Sequence, residues 1–123
     1  MIIDANIILR SILNDNEQLA NQARDIIENN TCFAPIEVIA EVVFELQKVY
    51  NVPRIEIQEL ISTAFKYISI SKEELLKQAL LFYGKTKLDF VDCISAAYYY
   101  VENEEVVTFD KKLNNFISRL ERK

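Results

Sequence analysis

Histidine does not occur in this 123-residue chain. Its absence removes Ser-His-Asp and Cys-His nucleophile arrangements and every imidazole metal ligand. Glycine is almost as scarce, with Gly84 alone, so neither a P-loop nor a G-x-G-x-x-G turn can be built. The two cysteines, Cys32 and Cys93, stand far apart in apolar surroundings and lack C-x-x-C spacing. That pattern argues against a disulfide framework or a thiolate zinc site and for buried thiols in a reducing compartment. No apolar run approaches the ~20 residues that span a bilayer. The apolar start, Met1 to Ile3, is interrupted by Asp4 before a signal peptide can form. These features lead us to expect a cytoplasmic protein with no membrane segment.

What the chain has in quantity is apolar side chains and carboxylates. Half of its residues are hydrophobic, enough for one core in a chain this long, so residues 1–123 are expected to form one domain. Nineteen Asp and Glu oppose fourteen Lys and Arg, for a net charge of −5. An acidic chain binds phosphate backbones poorly unless it first neutralises its own site.

Four short β-type runs are visible: IID at 2–4, TCFA at 31–34, YISI at 67–70 and EVVTF at 105–109. The longer stretches between them carry helical periodicity. This alternation predicts an α/β fold, a parallel sheet of about four to five strands with helices on both faces. Helix starts are marked by Asp15 or Asn16, by Pro35, by Pro53, by the capping-box sequence from Ser71 to Glu74, by Asp89 or Asp92, and by Asp110.

In open parallel sheets, ligands gather beyond the carboxyl ends of the strands. Asp4 and Asp110 fall at such ends, and Glu41 and Asp92 lie in early turns of helices that follow. Each acid also has a plain structural reading. Asp4 and Asp110 suit helix N-caps. Glu41 belongs to a stripe with Glu37 and Glu45, spaced four apart, which reads as a solvated face, and the pattern does not separate Glu41 from Glu37. Asp89 and Asp92 compete for the roles of cap and ligand, with Ser95 on their face of the helix. Taken together, the acids have a different meaning. Clustered carboxylates repel one another and take up protons unless a cation is present. A site of oxygen ligands alone selects Mg²⁺ or Mn²⁺. Such ions hold and polarise phosphodiester oxygens, which turns an acidic pocket into a phosphate receptor.

At these residues the sequence resembles the PIN domain family, and more narrowly its VapC-type ribonuclease toxins. The similarity rests on MIIDANIILR, PIEVIAEVV, DFVDCISAA and VVTFDKKL, and covers nearly the whole chain. The resemblance implies a PIN-like fold in which Asp4, Glu41, Asp92 and Asp110 are catalytic and bind Mg²⁺ or Mn²⁺. It implies Asn6 and Thr108 as supporting residues that orient them; the chain departs from the family pattern at Ser95, where Ala or Ile is common, and at Asp89, an additional acid near the site that could join the metal shell or only cap the helix. The implied activity is metal-dependent cleavage of single-stranded or looped RNA, leaving a 5′-phosphate and a 3′-hydroxyl. The implied partners are a second copy of the chain and a cognate antitoxin. Arg10, Lys85, Lys87, Lys111 and Lys112 are placed to track an RNA backbone. Ile8 and Ile12 are candidates for either core or partner surface. Two other readings compete: a non-enzymatic binding module on the same fold, and another Mg²⁺-dependent phosphoryl-transfer enzyme of the HAD or receiver type. Asn6 stands where the HAD type needs its second aspartate.

Overall fold

Met1 to Ile3 are β-forming residues, and they pair sparingly. Phe33 donates its N–H to the Met1 carbonyl at 2.8 Å, and Ile3 donates to the Phe33 carbonyl at 3.1 Å. The result is one parallel bridge, between Ile2 and Phe33. The computed structural model describes residues 1–121. Its two strands are β1 (Cys32–Ala34) and β2 (Ile68–Ile70). They run parallel with Cys32 opposite Ile68 and Ala34 opposite Ile70. Both are apolar and buried at their ends, as β-branched and small side chains on a covered pleat should be.

The architecture is α/β and rich in helix. The sheet is narrower among the described residues than the four or five strands the sequence suggests. The segment 105–109 has strand-like composition but joins no ladder there. Val107 and Phe109 point to solvent, at 89% and 104% relative exposure. β-propensity largely reflects packing on a half-buried pleat, and these two side chains have no such surface to pack on.

Two compact units are distinguished by their internal contacts, Met1–Glu73 and Glu74–Lys123. In the first, α1 (Ala5–Ile12) packs against α2 (Glu17–Asn29) and α3 (Ile36–Lys48), and α3 also packs on α4 (Arg54–Ala64). Ile39, Val42, Val43 and Leu46 repeat at helical spacing along α3 and are buried. Ile8 is fully buried and belongs to the core. Asn16 caps α2 by accepting the Leu19 N–H at 3.1 Å. Prolines stand immediately before α3 and α4, where φ is already helical and a missing N–H costs nothing. Ser71 follows β2 and its hydroxyl accepts the Ile36 N–H at 2.8 Å. That bond satisfies a free amide in the first turn of α3, so Ser71 serves a neighbouring helix as well as standing before its own.

The second unit contains α6 (Phe90–Glu102) and α7 (Lys111–Ser118) and nearly all of α5 (Glu73–Lys85). Phe82 meets Tyr100 and Phe116 edge-on at 5.7 and 5.0 Å, and Tyr83 meets Phe90 at 5.6 Å. These aromatic contacts join the three helices. Both cysteines are buried, and neither forms a disulfide among the described residues. Among the described residues, no helix is long and apolar enough to cross a membrane.

Candidate active site

Asp4 has the first of two duties. Its Oδ1 accepts the Ile7 N–H at 3.1 Å and so caps α1. Its other oxygen makes no bond among the described residues, so capping and ligand binding can coexist on one carboxylate. Asp4 lines a recess of about 160 Å³ with Ala5, Asn6, Leu9, Glu41 and Glu45. The packing of α1 on α3 creates this recess, and it separates residues that the helical pattern left equal. Glu41 lines it and Glu37 does not. Glu45 lines it too, although sequence reasoning did not single it out. Its position one turn beyond Glu41 on the acidic stripe was the available signal. Asn6, exposed in the first turn of α1, stands on the same wall.

The second acidic group lies in the other unit. Asp92 sits in the first turn of α6 and is partly buried. Burial, then the charge of Asp110, then that of Asp89 hold its carboxyl above the usual carboxylate range. All three causes penalise a negative charge at that position. Asp89 occupies the N-cap position of α6 but makes no side-chain capping bond, so its carboxylate is not committed to the helix.

Asp110 does cap its helix, accepting the Leu113 N–H at 3.0 Å through Oδ1. Thr108 holds it from the other side. The Asp110 N–H donates to the Thr108 hydroxyl at 3.0 Å, and the Asn114 amide donates to the Thr108 carbonyl at 2.8 Å. Thr108 therefore fixes the backbone of Asp110. Ser95 is partly buried on α6.

The basic residues differ in their commitments. Arg10 is paired with Asp15, its Nη1 lying 3.1 and 3.0 Å from the two carboxylate oxygens, so its charge is answered locally. The Lys85 ammonium lies 5.3 Å from the centre of the Phe82 ring. Lys87, Lys111 and Lys112 are exposed.

Among the described residues, no three acidic or thiol side chains are drawn together closely enough to cage a cation. The donors nevertheless suit a hard divalent ion. They are oxygens throughout, the ligand type such ions prefer. A larger groove of about 590 Å³ runs between α1, α2 and α4, with Ile12, Ile27, Leu60 and Tyr67 in its walls. None of the candidate catalytic acids lines it, although Arg24, Glu28, Glu56 and Glu59 do.

The PIN domain family model matches residues 1–117. The chain belongs to the PIN domain family. PIN domains are generally nucleases acting on RNA or DNA, and they generally use divalent metals such as Mg²⁺. No curated protein and no solved structure matches the chain. The PIN match runs across both units and includes all four acids singled out from the sequence, Asp4, Glu41, Asp92 and Asp110.

Proposed function

We propose that this PIN domain is a Mg²⁺- or Mn²⁺-dependent endoribonuclease, acting as the toxin of a VapC-type pair and restrained by a cognate antitoxin. The observation that carries the nuclease reading is the recess between α1 and α3 that brings Asp4, Asn6 and Glu41 together in a chain of the PIN domain family. Asp92 adds a carboxyl raised first by burial and then by the charges of Asp110 and Asp89. The toxin assignment and the homodimer rest on the resemblance of the four sequence segments.

Asp4, Glu41, Asp92 and Asp110 would hold the ion. When bound, the ion supplies positive charge that relieves the acids and polarises a phosphodiester. The chain's own residues prepare for this. Asp4 keeps one oxygen in the α1 cap, which orients the other. Asp110 is held in the same way by its cap and by Thr108. Asn6 adds an amide beside Asp4 and Glu41 that can bond to a carboxylate or to substrate.

The test is an assay of the purified chain on mixed RNAs with Mn²⁺ and with EDTA. Cleavage with Mn²⁺, its loss in EDTA, and a drop of more than ~100-fold in Asp92→Asn are the expected results. Cleavage that persists in EDTA would overturn the metal-dependent reading. Tight RNA or protein binding without cleavage under either condition would mark a binding module instead.

A further inference from the structure

Phe109 is the most exposed large apolar side chain among the described residues, at 104%. Its exposure does not come from a loose segment. On its N-terminal side, Thr108 is held through its carbonyl by Asn114 and through its hydroxyl by the Asp110 N–H. On its C-terminal side, Asp110 is locked into the α7 cap by the Leu113 N–H. The backbone is thus pinned on both sides of a ring that is fully open to solvent. The same bonds that position a candidate catalytic acid also present the ring to solvent.

The surroundings indicate what the ring meets. Lys111 and Lys112 follow within three residues and are both exposed. Val91, beside Asp92, is also exposed. Phe109 directly precedes Asp110, the cap of α7, and α7 packs against α6, whose first turn carries Val91 and Asp92. A rigid aromatic face next to lysine ammonium groups is the combination that binds single-stranded nucleic acid, with bases stacking on the ring and cations following the backbone. A base-paired nucleotide has both faces covered by its neighbours and cannot use such a platform.

We propose that Phe109 is a stacking platform that positions one unpaired RNA base beside the scissile phosphate. This rests on the nuclease reading above. It makes Phe109 a substrate-positioning residue.

The chain contains no tryptophan, so Phe109→Trp introduces a single fluorophore at the platform. In an Asp92→Asn background, which prevents turnover, this variant is titrated with a short single-stranded RNA, its duplex, and the same strand lacking bases. Fluorescence change is expected with the intact single strand alone. With Asp92 restored, Phe109→Ala should lose about 5- to 150-fold in kcat/KM on single-stranded RNA, and Phe109→Trp should retain activity. The proposal is overturned if the single strand binds, by anisotropy of a labelled RNA, without changing tryptophan emission. It is equally overturned if Phe109→Ala cuts single-stranded RNA as well as the unaltered chain, or if its only effect is on self-association. If the unaltered chain cuts no RNA, the nuclease reading itself fails, which is a separate outcome.

Discussion

Asp92 shows how a single side chain can be tuned for a task at a cost to the fold. Its carboxyl is held above the ordinary range by burial and by Asp110 and Asp89. The folded state therefore binds more protons than the unfolded one between the ordinary Asp value of about 3.9 and the raised value. Stability falls as pH rises through that window, because the unfolded chain binds fewer protons there. Above the window, ionised Asp92 burdens the fold. We expect Asp92→Asn to raise the melting temperature in EDTA at neutral pH while abolishing RNA cleavage. A lower melting temperature would show that the residue is structural. Asp4 makes the opposite comparison. Asn caps helices as well as Asp does, so Asp4→Asn should lose activity with little change in stability. Asp4→Ala should cost a further ~1 kcal/mol by freeing the Ile7 N–H. Thermal melts of the two variants in EDTA separate capping from charge. The sequence made the acids visible as candidates but left the duties of Asp89 and Asp92 undivided, because both stand at the start of one helix. In the structure Asp89 stands exposed at the N-cap position without a side-chain capping bond, and Asp92 is partly buried in the first turn.

Helices were largely legible because their starts are local chemistry. Asn16, Pro35, Pro53 and Asp110 each mark a boundary that needs no distant contact. Strands depend on neighbours, and EVVTF, with β-forming residues but no ladder, shows what sequence alone cannot supply. The acidic stripe of α3 lies between these cases. Its four-residue spacing makes Glu37, Glu41 and Glu45 equivalent on the helix, and the packing of α1 chooses Glu41 and Glu45 for the recess. Activity should therefore fall at least ~10-fold in Glu41→Gln and change little in Glu37→Gln, measured as kcat/KM on a cleavable RNA. Equal losses would assign the stripe a shared electrostatic role. At the same scale, Ser71→Ala should destabilise the protein by about 1 kcal/mol in urea unfolding, since it strips the Ile36 N–H of its acceptor. A null effect would show that water replaces the hydroxyl.

For the whole molecule, a net charge of −5 opposes binding of a phosphate backbone without counter-charge, which in the proposed reading a divalent ion held by the acids would supply. If Asp4 and Asp92 serve one reaction, their losses will not add. The double variant Asp4→Asn, Asp92→Asn should cut RNA no more slowly than the worse single variant, as expected of groups acting as a unit. The most direct measurement is titration calorimetry of the purified chain with Mn²⁺ near neutral pH. Saturable uptake is expected, weakened by Asp4→Asn and by Asp92→Asn alike, and weakening further as the pH is lowered toward the carboxylate range. No uptake, or uptake that neither substitution alters, would contradict the account.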